Sequence, residues 1–400
     1  SDVCSSDLLK VKTKDTKTKS QYTPNTPITY QYQKTRRKIK LKTPHNILII
    51  LTGGTICSFV DKSGKRDSDA ERAHTLIEKK FRASDSRYSS EECVTFDKEK
   101  PLDILSENMT TGNWNILISK MRTYDYSKYD GVIILHGTDT LAYTGALLSI
   151  LMAGTRIPVF LVSSQLPPDD DEANGNANFR AAVELIVNGI EPNIYAVYRN
   201  TETDGSGEIQ RMYIHYCSHL LQCANRSENF YSPDMAEVSQ ENAAFKGKSS
   251  GEEKMYLYHD FELSSCVLRI IPYVGIDYEH YCMKGVKAIL HGTYHSSTMA
   301  VTPYKDDESK RYTSQAILSL KKRCDECEPP IPLFLEHCHR DAYNYISTGI
   351  ILKCGAIPVW TMTSEMTYVK LLVGCALGYE GEELKEFMNR EINDEFVYRD

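Results

Sequence analysis

No run in the 400 residues approaches the roughly 18 consecutive apolar positions that a membrane-spanning helix needs, and no apolar segment follows a basic start as in a secretory leader. Tryptophan occurs only twice, at Trp114 and Trp360, and both read as packing residues, as do most of the tyrosines. Nucleotide fingerprints are also lacking: neither Gly-x-Gly-x-x-Gly nor Gly-x-x-x-x-Gly-Lys-Ser/Thr follows an apolar strand, which argues against a dinucleotide or P-loop site. Cysteine is present twelve times, but scattered along a long chain rather than packed into a short secreted frame. Such cysteines are expected to stay thiols in a reducing compartment. The expectation is therefore a cytoplasmic protein with no membrane contact and no disulfides.

The chain does have the apolar content, 41%, and charged content, 25%, of an ordinary globular protein able to bury a core. Four hundred residues exceed what one core usually serves, so two domains are expected. Residues 1–43 are made of other material: the first 42 carry eleven Lys or Arg against three Asp, with many Thr, Gln, Ser and Pro. They read as a disordered basic tail. Its first eight residues, Ser1 to Leu8, resemble one frame of a sequencing adapter and are set aside. The net charge is -7, so the body beyond the +8 tail is acidic, at about -15, and a nucleic-acid partner is not expected from its field.

From Pro44 the pattern alternates between apolar runs and amphipathic segments, the signature of an α/β fold with a mostly parallel sheet. The expected elements of the first domain (44–233) are strands at 46–51, 92–96, 132–136, 158–162 and 194–198, with helices at 70–82, 114–123, 141–152 and 178–187. Residues 57–70 are polar and are expected to form a mobile loop. A composition shift over 234–254 reads as the linker. The second domain (255–400) repeats the alternation at smaller scale, with strands at 267–271, 286–290, 332–335 and 357–360 and helices near 313–322, 342–353, 364–376 and 381–391.

Two strands end alike. Ile47 to Leu51 runs into Thr52-Gly53-Gly54-Thr55-Ile56, and Val132 to Leu135 runs into His136-Gly137-Thr138-Asp139-Thr140. Each reads as a buried parallel strand ending in a tight loop, and ligands bind at the carboxyl ends of such strands. Gly54 and Gly137 let a ligand approach the backbone closely. Thr55 offers a hydroxyl, Thr138 a second one to relay a proton, and Asp139 a carboxylate to hold an ammonium or orient a base. Backbone N–H groups in the same loops would stabilise an oxyanion. The set points to attack on a carbonyl carbon, as in amide hydrolysis; alternatively the glycines are plain turn residues and the threonines helix caps. Cys324-Asp325-Glu326-Cys327 and His337-Cys338-His339 raise a zinc reading, but a second cysteine pair at ligand spacing is missing. They are read as loop and core thiols, and no metal or organic cofactor is implied.

Those two loops, together with Ser106-Glu107-Asn108-Met109-Thr110 before a Trp-bearing helix and Ala142-Tyr143-Thr144 after the second loop, resemble the bacterial-type L-asparaginase/glutaminase family, on the side of its cytoplasmic type I branch. Ser164-Gln165, Thr361-Met362-Thr363-Ser364-Glu365 and Lys370-Leu371 resemble further blocks, so the likeness runs from about residue 45 to 380. It implies a two-domain asparaginase-like fold and hydrolysis of L-asparagine to L-aspartate and ammonia. By the resemblance, Thr55 is the nucleophile and Thr138 and Asp139 belong to the second catalytic group. Ser106, Glu107 and Asp139 would hold the substrate's α-carboxylate and α-amino ends. It further implies a homodimer or homotetramer in which a neighbour's second domain completes the site, with Tyr294 or His295 as the contributed side chain.

The sequence departs from the family in two places. The family's Thr-Asp-Lys group needs a lysine after the strand at 194–198, where Leu220-Leu221 stand; no lysine occurs between Lys128 and Lys246. A tyrosine often found on the loop after the first threonine is absent from residues 57–80. His295, or Tyr294 beside it, is the first candidate for replacing the lost base, since histidine titrates in the range a general base needs; Lys62 and Lys65 are lesser candidates. Three other readings follow: an amino-acid-binding relative without turnover, the amide-cleaving subunit of a tRNA-dependent amidotransferase, for which the basic tail is support, and a bare interaction protein, against which the two hydroxyl loops count.

Overall fold

The computed structural model describes residues 44–60, 63–238, 247–248, 255–303, 307, 313–336 and 345–397. The expected basic tail, Lys62, most of the expected linker and His337-Cys338-His339 lie outside the described residues. The first half of the chain runs β1 (His45–Leu51), β2 (Ser58–Val60), β3 (Arg66–Ser68), α1 (Ala70–Arg82), β4 (Val94–Glu99), α2 (Thr111–Met121), β5 (Gly131–Leu135), α3 (Leu141–Leu151), β6 (Val159–Val162), α4 (Gly175–Val187), β7 (Ile194–Asp204), β8 (Gly207–Tyr216) and β9 (Ala236–Glu237). Seven of these strands form one sheet in the order β4-β1-β5-β6-β7-β8-β9. It is parallel from β4 to β7 and antiparallel from β7 to β9.

Alternation along the central strands sorts their side chains between two faces. Ile47, Ile49, Leu51, Ile133, Leu135, Phe160 and Val162 pack with Ile77 and Phe81 of α1 and Phe179 and Val183 of α4. Leu48, Ile50, Val132, Ile134 and Leu161 pack with Trp114 and Leu117 of α2 and Leu147 and Leu151 of α3. Both faces are dry, which is why the strands read as unbroken apolar runs. Thr110 caps α2 through a reciprocal capping box with Asn113, so this helix starts three residues ahead of the expected Trp114.

The second half runs β10 (Val267–Ile270), β11 (Ala288–His291), α5 (Ile317–Asp325), β12 (Leu333–Glu336), α6 (Ile346–Lys353), β13 (Ile357–Val359), α7 (Ser364–Ala376) and α8 (Gly381–Asn389). Its four strands form a smaller, fully parallel sheet in sequence order. One face packs on α5 and α6. The other shares a core with α7, which also lies against α3 of the first half.

Three expectations are corrected. Among the described residues of 57–70, β2 and β3 pair as antiparallel strands where a loop was expected, and the Ser68 hydroxyl bonds the Asp103 carboxylate. The strand at 194–198 is the start of a long hairpin that turns at residues 205–206 and returns as β8, unforeseen because the far ends of both strands are polar. Within the expected linker, Ala236 and Glu237 pair with β8 and extend the first sheet.

The C-terminal segment straps the two halves together. Asn393 Nδ2 donates to the Ser149 carbonyl at 3.0 Å, and Lys248 Nζ meets Asp394 Oδ2 at 3.1 Å. His219, just past β8, bonds the Asp394 carbonyl through Nε2 and Asp234 Oδ2 through Nδ1 at 2.8 Å. Burial disfavours the imidazolium, but the Asp234 carboxylate and the Asp394 carbonyl outweigh it and raise the His219 pKa. Burial also works against the Asp234 charge, yet His219 draws that pKa down. The raised His219 pKa stabilises the fold fully below its unfolded value of about 6.5, and this is lost as pH rises through the folded value. Asp234 contributes above its unfolded value and loses this as pH falls through its folded one. The melting temperature of His219→Gln should therefore fall furthest below the parent near about pH 5.5 and approach it toward about pH 9. A gap independent of pH would mean that His219 is neutral in the strap.

Candidate active site

The site is built where β1, the segment after β4 and β5 all end. Thr52 continues β1 toward β5: its N–H and hydroxyl both donate to the Leu135 carbonyl, at 3.1 and 2.9 Å. The chain then turns through Gly53 (φ 109°) and Gly54 (φ 81°), conformations that L side chains rarely adopt. The Gly54 N–H donates to the Ile104 carbonyl at 2.7 Å, and the Ile104 N–H to the Thr52 carbonyl at 3.1 Å. A Cβ on Gly53 would stand 2.0 Å from the Ile104 oxygen, and one on Gly54 2.2 Å from the Gly137 Cα. Gly137 is hemmed in similarly: a Cβ there would meet Ser106 Oγ at 2.3 Å. These glycines bring three backbones closer than any side chain permits.

Ser106 ties the third loop to the second. Its hydroxyl donates to Asp139 Oδ2 at 3.2 Å and accepts from the Asp139 N–H at 3.2 Å, and its carbonyl accepts from the Thr140 hydroxyl at 3.0 Å. Ser106 is buried, Thr55 and Thr138 are half-buried, and Asp139 and Glu107 are exposed. A fixed hydroxyl thus anchors two carboxylate-bearing loops that open to solvent beside Thr55. Helix α3 starts directly after the Thr138–Thr140 turn, and its positive end favours negative charge there. His136 is wholly buried, its Nδ1 lies 2.8 Å from the Gly137 carbonyl, and burial lowers its pKa to about 4. It is neutral at physiological pH and shapes the loop rather than carrying charge.

The echo of this loop in the second half has the same geometry. His291 at the end of β11 turns its Nδ1 onto the Gly292 carbonyl and its Nε2 onto the Tyr278 hydroxyl at 2.8 Å, and burial lowers its pKa to about 4. Beyond it, Tyr294 and His295 are exposed at the carboxyl edge of the smaller sheet. Ser164, at the end of β6, accepts from the Gly175 N–H at 3.0 Å and thereby supports the start of α4.

The place expected to hold a base is occupied otherwise. Leu220 is buried, and the Leu221 N–H donates to the Tyr231 carbonyl at 3.0 Å. One residue on, Gln222 reaches the site: its Nε2 donates to the Thr138 carbonyl at 3.4 Å, while its Oε1 is buried and has no partner among the described residues. No Lys or Arg among the described residues hydrogen-bonds Thr138 or Asp139. Lys65 is exposed. Sequence reading missed Gln222 because nothing local marks it; the path of the chain after β8 delivers it.

A buried polar group continues from Gln222 into the second half. Burial raises the pKa of the Glu365 carboxyl, which the Gln222 backbone N–H and Arg269 oppose. Arg269 of β10 bonds the Tyr143 hydroxyl and meets Glu336 Oε1 at 3.4 Å. Lys370, part of the C-terminal block singled out by sequence, lies elsewhere: it is fully buried and pairs with Glu395 at 2.6 Å. The zinc-like cysteines are held separately, with burial pushing the Cys324 thiol up to about 12 and the Cys327 thiol bonding the Arg323 carbonyl at 3.3 Å.

Comparison with known proteins agrees with this architecture. A component of the glutamyl-tRNA(Gln) amidotransferase of Methanococcus maripaludis is 27% identical over 368 residues, spanning 88% of this chain and 80% of that one. The L-asparaginase of Thermococcus kodakarensis is 23% identical over 354 residues, 88% of this chain and 99% of that one. Its solved structure superposes with a TM-score of 0.65 at 21% identity, covering 88% of this chain and all of that one. L-asparaginase I of Vibrio cholerae gives a TM-score of 0.66, also at 21% identity, over 89% of this chain and all of that one. The family model described as "Asparaginase, N-terminal" matches residues 46–246, which include all three interlocked loops and Gln222. A parallel sheet with threonine loops at its carboxyl edge, a smaller parallel sheet behind it and a family model spanning half the chain lead to one assignment: the chain belongs to the asparaginase family.

Proposed function

We propose that the protein is an amidohydrolase that acts on the side-chain amide of L-asparagine, with Thr55 as nucleophile. The observation that carries this reading is the locking of the Gly54-Thr55, Ser106-Glu107 and Gly137-Thr138-Asp139 loops into one solvent-open edge through Ser106 and the close approaches at Gly53, Gly54 and Gly137. In this mechanism the Thr55 hydroxyl attacks the amide carbon, the carbonyl oxygen becomes an oxyanion, ammonia leaves, and water releases L-aspartate from the acyl-enzyme. The N–H groups of Thr55 and Thr138 are the candidate oxyanion donors. Asp139, with Ser106 and Glu107, would hold the amino-acid end of the substrate. The protein is expected to work in the cytoplasm as a homodimer or homotetramer, with Tyr294 or His295 of a neighbouring copy closing the site.

Gln222 favours a second reading. An amide cannot accept a proton from Thr55 or Thr138 at physiological pH, so the same pocket would bind an amino acid with slow or no turnover. A third reading, the amide-cleaving component of a tRNA-dependent amidotransferase, draws support from the Methanococcus maripaludis relative.

The test is ammonia release from L-asparagine, L-glutamine and asparaginyl peptides, with amino-acid binding measured in parallel by calorimetry. Thr55→Ala is expected to abolish release while leaving L-aspartate binding in place; release at the parent rate would remove Thr55 from the mechanism. Gln222→Lys, which puts an ammonium beside Thr138, is expected to raise release on the order of 10²-fold, the contribution of a positioned acid–base group. Unchanged or lower release in Gln222→Lys would mean that another group already handles the proton.

A further inference from the structure

Between β8 and β9 the chain makes a closed loop beside the site. The Leu221 N–H donates to the Tyr231 carbonyl at 3.0 Å, so the two ends of the loop meet. Two asparagines clamp its returning limb to β7. Asn200 Nδ2 donates to the Phe230 carbonyl at 2.8 Å, and Asn200 Oδ1 accepts from the Phe230 N–H at 3.1 Å. Asn229 Oδ1 accepts from the Thr201 N–H at 2.9 Å, and Asn229 Nδ2 donates to the Thr201 carbonyl at 2.7 Å. The outgoing limb carries Gln222 to the Thr138 carbonyl at 3.4 Å. Both limbs are therefore fixed, and one of them touches the Thr138-Asp139 turn.

The tip of the loop is a tight turn, Ala224-Asn225-Arg226-Ser227, closed by the Ser227 N–H onto the Ala224 carbonyl at 2.9 Å. The Cys223 thiol donates to the Ser227 carbonyl at 2.8 Å and draws this turn back onto the limb that bears Gln222. Arg226 takes the third position with φ 64°, where glycine or asparagine is normally found. Its side chain is exposed and enters no ion pair with another described residue. Within the site the balance is the reverse: Asp139 and Glu107 supply negative charge, while hydroxyl donors are spent. The single O–H of Ser106 goes to Asp139 Oδ2 and that of Thr140 to the Ser106 carbonyl. An amino-acid substrate brings an ammonium, which the carboxylates suit, and an α-carboxylate, for which those two hydroxyls have no proton left.

We propose, on the reading of the site as an asparagine amidohydrolase, that Arg226 is a specificity-determining residue that binds the substrate's α-carboxylate. The planar guanidinium offers a carboxylate two parallel N–H donors, and Asp139 takes the ammonium. The two charged ends then orient the side-chain amide toward Thr55. The substrate class that follows is the free amino acid with a side-chain amide, in preference to asparagine whose carboxyl is tied up in a peptide or ester bond.

The variant that tests this is Arg226→Gly, because glycine suits φ 64° and leaves the turn unstrained. Its melting temperature should stay close to that of the parent. In ammonia release, KM for L-asparagine should rise about 10- to 100-fold with kcat much less affected, the loss of a charge-assisted bond made equally in ground and transition states. L-Asparagine methyl ester, which lacks the α-carboxylate, should show the same KM in both proteins. Arg226→Lys should recover part of the loss. Calorimetry with L-aspartate and its 1-methyl ester reads the same contrast without turnover. Parent-like affinity of Arg226→Gly for L-asparagine and L-aspartate, or an equal loss for the esters, overturns the proposal. A parent that releases no ammonia but binds L-aspartate through Arg226 overturns the amidohydrolase reading and upholds this one; a parent that binds neither ligand overturns both.

Discussion

Replacing Glu395 by alanine is expected to lower the free energy of unfolding by about 3–5 kcal/mol, the cost of stranding one charge of a buried pair. Glu395 and Lys370 are 1% and 0% exposed at their side chains. The carboxylate accepts from Lys370 at 2.6 Å, from the Ile392 N–H at 2.9 Å and from the Asn393 N–H at 2.7 Å. Lys370 Nζ also donates to the Met388 and Arg390 carbonyls, at 3.3 and 2.5 Å. Loss of the carboxylate would leave the ammonium facing two carbonyls and two backbone N–H groups unpaired, and would free the strap that Asn393 and Asp394 tie to the first half. Urea denaturation of Glu395→Ala beside the double variant Lys370→Met, Glu395→Gln is the measurement. The double variant should be the less destabilised, because it removes the stranded charge and keeps an acceptor for Ile392 and Asn393. A loss under about 1 kcal/mol in Glu395→Ala would show that the pair does not anchor the strap.

The second large effect is at the site. Gly54→Ala is expected to abolish amino-acid binding and to destabilise the fold by about 1–3 kcal/mol, because a Cβ there meets backbone rather than a side chain that can move. Its position would be 2.2 Å from the Gly137 Cα and 2.3 Å from the Gly137 nitrogen. Moving the Gly54 loop off Gly137 strains the Thr52 bonds to the Leu135 carbonyl and the Gly54 bond to the Ile104 carbonyl, which hold the geometry the proposed site needs. Gly189→Ala serves as the control: its φ is +76°, close to the +81° of Gly54, but nothing lies within 4 Å of its Cβ position. It should show only the conformational cost, about 1 kcal/mol. Equal losses in the two variants, with binding kept in Gly54→Ala, would mean that the loops are not held together by close approach.

Where patterning is local, sequence and structure agree closely. The helix expected at 70–82 is found at Ala70–Arg82, with Asp69 as its cap, and that at 364–376 is found at Ser364–Ala376, capped by Thr363. Strands β1, β5 and β6 were legible because burial on both faces makes them continuous apolar runs. The β7–β8 hairpin was only half legible, since Asn200–Asp204 and Gly207–Arg211 lie in its outer part and show no apolar face. Ala236–Glu237 is too short to show a period at all.

By itself the sequence determined the order of strands and helices, the α/β class, the hydroxyls and carboxylates of the three loops, and the absence of a lysine between Lys128 and Lys246. All of these depend on periodicity, capping and residue chemistry read within a few positions. Tertiary structure alone decided that Gly54, Ser106 and Gly137 touch, that Gln222 rather than Leu221 meets Thr138, and that Lys370 serves the C-terminal strap. Each of these contacts joins residues far apart in the chain. Their meeting follows from sheet order and helix packing, which a linear pattern does not encode.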